Sequence, residues 1–167
     1  MVPAKTLKLD QIDVNILAQL QRQGRMGNND LAEAVGLSPS PCLHRVRRLE
    51  SAGYITGYSA HLNLAKLGDP QVVFTQVTLS NHTREDFLRF ESAMAAQEEL
   101  LEAHLVSGGF DYLLKFITRG IAEYQALMDS LLARELGIAK YFSFIVLKSP
   151  VIKQEYPISV VLETPKD

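Results

Sequence analysis

The stretch from Asn28 to Gly53, NNDLAEAVGLSPSPCLHRVRRLESAG, leaves this chain few ways to fold. Gly36 divides it into two short amphipathic segments joined by a tight turn, the plan of a helix-turn-helix. In the second segment Cys42, Leu43, Val46 and Leu49 fall within about 120° at roughly 100° per residue. Ser40, His44 and Arg48 lie opposite them, and Arg45 and Arg47 flank that free face. Hydroxyls and an imidazole near the start of a surface helix, with three guanidinium groups further along, suit the major groove of double-stranded DNA. The N-terminal residues would meet base edges and the arginines phosphates. The candidate DNA-contacting residues are therefore Ser38, Ser40, His44, Arg45, Arg47 and Arg48. A helical hairpin with a solvated basic face has the same spacing, so the pattern alone leaves both readings open.

The segment ends carry matching signals. Asp10 is placed to cap a first helix, with Asp13 three residues on and Ile12, Ile16, Leu17 and Leu20 on one stripe until Gly24 lets the chain leave. Gly27 or Asn28 opens the second helix, Asp30 favours its positive N-terminal end, and Gly36 supplies a positive-φ stop. Ser38 or Ser40 caps the third. Pro39 and Pro41 cost little there, because first-turn N–H groups have no intrahelical partner, although Pro41 disfavours a helical Ser40.

Charge is unevenly distributed. Residues 1–60 hold 7 Lys and Arg against 5 Asp and Glu, a net of +2, whereas residues 61–167 hold 10 against 14, a net of −4. The basic surplus sits with the helix-turn-helix, and the acidic remainder, which repels a polyanion, is expected to face away from nucleic acid. At 167 residues and 47% hydrophobic composition the chain has room for one ordinary domain or two small ones with packed cores. No run approaches the roughly 18 apolar residues of a membrane span. MVPAKTLKLD lacks the apolar core of a signal peptide, so a cytoplasmic protein with no membrane partner is expected. The one cysteine, Cys42, on the apolar side of the third helix, permits neither an intramolecular disulfide nor a cysteine metal cluster. Asn81-His82-Thr83 matches a glycosylation acceptor, but nothing points to secretion.

Beyond Gly53 the apolar period changes from 3.6 towards 2. Residues from Tyr54 to Leu64 read as an extended connecting strand, and KLGDP at residues 66–70 as a turn cluster. The expected domains are residues 1–64, a winged helix-turn-helix with its connecting strand, and residues 65–167, which include a tail from Pro150. In the second, strand-like runs cover Val72 to Leu79, Leu100 to Ser107, Phe110 to Thr118 and Ile138 to Leu147. One helix carries Phe87, Phe90 and Met94, the other Ile121, Tyr124, Leu127, Leu131 and Leu132. Gly108-Gly109 is a hairpin signal, and the order β-α-β-β-α-β predicts a ferredoxin-like sheet with both helices on one side. The fold class is α+β. Apolar residues on the uncovered face, drawn from Val72 to Leu79 and Tyr141 to Leu147, call for sheet-to-sheet dimerisation rather than an exposed monomeric sheet.

LSPSPCLHRVRRLE in the third helix and HLVSGGFDYLLK across the Gly-Gly hairpin resemble two segments of the leucine-responsive regulatory protein/AsnC family, the feast/famine regulators of bacteria and archaea. The resemblance runs from about Leu9 to Leu147 and keeps the family's element order. It implies a winged helix-turn-helix joined to a ferredoxin-like effector and dimerisation domain. It also implies homodimers and higher oligomers such as octamers, and transcription regulated by amino acids. The chain departs from the family pattern at His44 and Gly109, where many members carry an acidic residue or, at the second position, an acid or amide.

A free amino acid offers a carboxylate and an ammonium, so its receptor needs exposed N–H donors for one and a carboxylate for the other. Gly108 and Gly109 leave backbone donors uncovered, Ser107 adds a hydroxyl and Asp111 a negative charge. A tight turn that Asp111 merely caps would look the same. The resemblance places effector contacts around this hairpin at a subunit interface, at Leu105, Val106, Gly108, Gly109 and Asp111, with Phe144 nearby. No Gly-x-Ser-x-Gly motif, phosphate loop, dinucleotide fingerprint or metal-spaced cluster is present, and His44, His61, His82 and His104 are scattered. Neither catalysis, nor a metal, nor a cofactor is expected. The rival to a DNA-binding regulator is a small-molecule-binding, oligomerising module that does not bind DNA.

Overall fold

A computed structural model describes residues 7–162. The chain divides into two compact units, Met1–His61 together with Val151–Asp167, and Leu62–Pro150. The division falls three residues before the expected boundary at 64, and the tail joins the first unit rather than the second.

The first unit is built from α1 (Gln11–Arg22), α2 (Asn28–Ala34) and α3 (Pro39–Ser51). Asp10 and Asp13 form a reciprocal capping box at the start of α1, each carboxylate accepting the other's backbone N–H. Gly36 at φ 70° ends α2, a conformation that a residue with a Cβ adopts only with strain. Ser38 occupies the N-cap of α3 in extended backbone and Pro39 follows in the first turn, which decides between the two candidate serines. Ile16, Leu20, Leu31, Ala32, Cys42 and Leu49 are buried together as this unit's core. Burial pushes the Cys42 thiol above its ordinary value, as for an inert core residue. Leu43, assigned by spacing to the same apolar cluster, is instead 38% exposed.

The expected connecting strand over Tyr54 to Leu64 is not formed. Residues 55–63 pair with no strand among the described residues, and Leu64–Lys66 closes a single 3-10 turn. Period-2 apolar spacing produces an extended run, but a strand also needs a neighbour for its backbone N–H and C=O groups. Side chains fix the run where it leaves α3: Ile55 packs on the core, and Tyr58 donates to Glu50 at 2.9 Å. Burial and that carboxylate push the Tyr58 hydroxyl up to about 12. The tail lies along α1. The Gln21 amide donates to the Tyr156 carbonyl at 2.9 Å and accepts the Tyr156 N–H at 3.0 Å, and Arg22 pairs with Glu155 at 3.1 Å.

The second unit is a four-stranded antiparallel sheet with two helices, in the order β1 (Gln71–Leu79), α4 (Arg84–Ala95), β2 (Leu100–Leu105), β3 (Tyr112–Thr118), α5 (Ile121–Ala133) and β4 (Ile138–Ile145). The strands lie in the order β2-β3-β1-β4. Val73, Val77 and Leu79 of β1 and Tyr112, Leu114 and Phe116 of β3 point to one face. There they meet Phe90, Ala93 and Met94 of α4 and Tyr124, Met128 and Leu131 of α5. Met128 replaces Ile121 and Leu132 in this core, both of which are exposed. Thr75 is fully buried and shares a hydrogen bond with the Tyr124 hydroxyl at 2.7 Å, and that hydroxyl reaches Ser143 at 2.5 Å. The other sheet face has no helix. Register places Phe74 opposite Phe144 and Gln76 opposite Phe142 on it, and Phe142 and Phe144 are each 50% exposed.

Phe90→Ala removes a fully buried ring and is expected to cost roughly 3–5 kcal/mol in urea unfolding, whereas Leu132→Ala, on the exposed side of α5, should cost about 1 kcal/mol or less.

Candidate nucleic-acid interface and effector site

The candidate DNA-contacting side chains divide into two groups on α3. Ser38, Ser40, His44 and Arg47 are exposed, and none has a side-chain hydrogen-bond partner among the described residues. Arg45 and Arg48 turn inward. Arg45 Nη1 donates to Asp10 Oδ2 at 2.7 Å and to Asp13 Oδ1 at 2.8 Å, and Arg48 Nη2 donates to Asp13 Oδ2 at 2.6 Å. Asp13 is fully buried, so its charge is sustained by two guanidinium groups and by the Asp10 N–H. The Asp13 N–H, then Arg45, hold the Asp10 carboxyl below the ordinary carboxylate range. Both carboxylates raise Arg45 in turn. Arg47 is the one arginine of α3 with no acidic partner among the described residues. Asn28 of α2 ties down the helix start by donating to the Pro39 carbonyl at 2.9 Å.

The inward turn of Arg45 and Arg48 escaped the sequence reading. Their i, i+3 spacing puts them on one side of a helix. The carboxylate they share comes from α1, more than thirty residues earlier, where its capping role was the legible one.

The candidate effector residues gather at the loop between β2 and β3. The loop is closed by the Val106 N–H donating to the Asp111 carbonyl at 2.9 Å, and the Asp111 N–H donates to Val77 of β1 at 2.9 Å. Ser107, Gly108 and Gly109 are exposed, and their N–H groups meet no protein acceptor among the described residues. Gly108 sits at φ 140°, which requires glycine. A Cβ at either glycine would meet open space, so the donors are uncovered. The Asp111 carboxylate accepts the Leu79 N–H at 2.7 Å and lies 3.0 Å from His82 Nε2. It therefore ties the loop to the end of β1 and also presents charge at the loop's edge. Leu105, at the end of β2, is 60% exposed. Phe144 is not brought to the loop within one chain: it lies on the open sheet face opposite Phe74, on the far edge strand from β2. A cleft of about 820 Å³ between α1 and the tail shares no residue with α3 or the loop.

The two regions match two separate family models. Residues 9–56 match the winged helix-turn-helix DNA-binding model, and residues 72–158 match the Lrp/AsnC ligand binding domain. The chain belongs to the Lrp/AsnC family of transcriptional regulators. It is 46% identical over 143 residues to the transcriptional regulatory protein DoeX of Halomonas elongata, covering 86% of this chain and 90% of that one. To the leucine-responsive regulatory protein of Haemophilus influenzae it is 46% identical over 140 residues, 84% of each chain. A transcriptional regulator from Neisseria meningitidis, solved as its L-Met complex, has a TM-score of 0.86 at 30% identity and covers 93% of this chain and all of its own. The Lrp/AsnC regulator described here thus pairs a DNA-binding helix-turn-helix with a ligand-binding ferredoxin-like domain. No helix among the described residues is long and apolar enough to cross a membrane.

Asp13→Ala leaves Arg48 without its anion, reduces Arg45 to Asp10 alone, and opens the capping box. It should lower the unfolding free energy of the helix-turn-helix by about 3 kcal/mol, against about 0.5 kcal/mol or less for Arg47→Ala, measured by chemical denaturation. Because Asp10 is held below its unfolded value, its stabilisation is present above the ordinary carboxylate range and is lost as pH falls through it. Asp10→Asn should flatten that acid limb of the stability profile.

Proposed function

We propose that this regulator reads duplex DNA with the exposed N-terminal half of α3 and that its assembly responds to an amino acid held at the β2–β3 loop. The observation that supports the first part is the division of α3 just described. With Arg45 and Arg48 drawn onto Asp13, the outward face is left to Ser38, Ser40, His44 and Arg47. Ser40 and His44 reach base edges and Arg47 a phosphate, while Arg45 and Arg48 add phosphate contacts through N–H groups that the carboxylates leave free. The protein acts in the cytoplasm, and its business is binding, not catalysis.

One α3 helix contacts only a few base pairs, so a homodimer reads a two-fold-related site with half-sites about one DNA turn, or a multiple of it, apart. Phe74, Phe142 and Phe144 on the open sheet face supply the apolar surface for that dimer, and dimers join into larger rings such as octamers. The effector's carboxylate meets the uncovered N–H groups of Ser107, Gly108 and Gly109, and its ammonium meets Asp111. Leu105 and Val106 line the loop, and Phe144 reaches it from a neighbouring subunit. The L-Met bound by the Neisseria relative is the kind of molecule this arrangement suits.

Arg47→Ala should weaken binding to all DNA sequences alike and reduce the salt slope by about 1, whereas His44→Ala should alter base preference at a cost of roughly 1–3 kcal/mol. Equal loss of preference in a binding-site selection would contradict this division. A thermal-shift screen of the twenty amino acids should find at least one that raises the melting temperature of the full chain, because a ligand bound to the folded state stabilises it by mass action. Asp111→Asn should abolish that shift while leaving DNA affinity without amino acid nearly unchanged.

A further inference from the structure

His82 lies in the segment between β1 and α4, and nothing in the proposed function uses it. Its Nε2 is 3.0 Å from both carboxylate oxygens of Asp111, and its ring stands against Phe87 of α4 with centroids 5.9 Å apart. The imidazole is 55% exposed, the carboxylate 18%. The Leu79 N–H already occupies Asp111 Oδ2, so much of the remaining acceptor capacity of this carboxylate faces His82. Of the acidic groups of α4, Glu85 makes no hydrogen bond or ion pair among the described residues, and the other two are engaged elsewhere. Asp86 caps its helix through Thr83 and pairs with Arg89, and Glu91 accepts the Tyr112 hydroxyl. Asp111 is the acidic partner of His82 among the described residues.

An imidazolium in this position takes acceptor sites on Asp111 and sets a positive charge within a few ångströms of any second cation that approaches it. A neutral imidazole carries no charge to repel that cation, and in its Nδ1–H tautomer it also leaves the Asp111 acceptor sites free. We propose that His82 is a specificity-determining residue of the effector site: it shares Asp111 with the effector's ammonium group, so that effector binding requires His82 to lose its proton. This rests on the reading above that Asp111 receives the ammonium. By linkage, coupling to one proton changes affinity by up to about tenfold per pH unit, with binding weakest on the acid side of the imidazole titration and level on the alkaline side. The regulator then reports an amino acid and pH through one carboxylate.

The test is calorimetric titration of the full chain with each of the twenty amino acids in turn, between about pH 5 and about pH 8, the window in which an imidazole changes charge. The amino acids that bind wild type should do so up to about tenfold more weakly for each pH unit of acidification. His82→Gln should bind them with a nearly pH-independent affinity close to the wild-type alkaline limit, and His82→Lys should bind weakly throughout. His44, His61 and His104 remain in both variants and serve as internal controls. A full wild-type slope in His82→Gln, with binding lost in Asp111→Asn, overturns the role of His82 alone. Unimpaired binding in Asp111→Asn, or no binding by any of the twenty in wild type, overturns the effector reading and this inference with it.

Discussion

One buried carboxylate organises the DNA-binding unit. Asp13 sits in the first turn of α1, completes the capping box with Asp10, and accepts Arg45 and Arg48 from α3. A lone carboxylate out of water is costly, and two guanidinium groups with a backbone N–H offset that cost only when α3 lies at one angle and one rotation. The same constraint decides which side chains of α3 stay unpaired. With Arg45 and Arg48 drawn inward, Ser40, His44 and Arg47 have no competing partners among the described residues.

The ligand-binding unit uses a different economy. Alternation along β1 and β3 buries every second residue under α4 and α5, and Phe74 of β1 lies with Phe142 and Phe144 of β4 on the other face, so one sheet carries both a core and an exposed apolar surface. The loop at residues 106–111 lies at the end of that sheet, and three of its N–H groups have no acceptor among the described residues because its glycines carry nothing that could shield them. Asp111 anchors the loop to β1 through its backbone N–H and its carboxylate. In the proposed function its structural and recognition roles bear on the same carboxylate, which His82 approaches at 3.0 Å.

Much of this was legible in the sequence because it rests on short-range rules. Capping at Asp10, the positive-φ turn at Gly36, the element order of the sheet and the Gly-Gly loop all follow from spacing within a few residues. What the sequence hid depends on partners distant along the chain. Arg45 and Arg48 read as freely exposed arginines, and only the fold brings Asp13 of α1 against them. The run from Tyr54 to Leu64 has strand spacing but no neighbouring strand, and Ile121 and Leu132 carry apolar side chains on a helix face that the sheet does not cover. The tail follows no motif, and its clamp on α1 works through the backbone of Tyr156, which leaves no residue-type signature. His82 belongs with these, since its contact with Asp111 spans 29 residues.

The proposed function rests on two separate surfaces, the outward half of α3 and the loop at residues 106–111. Amide hydrogen exchange on the full-length protein addresses both directly. Duplex DNA carrying the selected site should slow exchange across residues 38–48 of the helix-turn-helix, and the amino acid that stabilises the protein should slow it across residues 106–111, each with the greatest effect at its own surface. DNA protection centred on the tail or the loop with residues 38–48 unchanged, or an amino acid that leaves residues 106–111 unchanged, would contradict it.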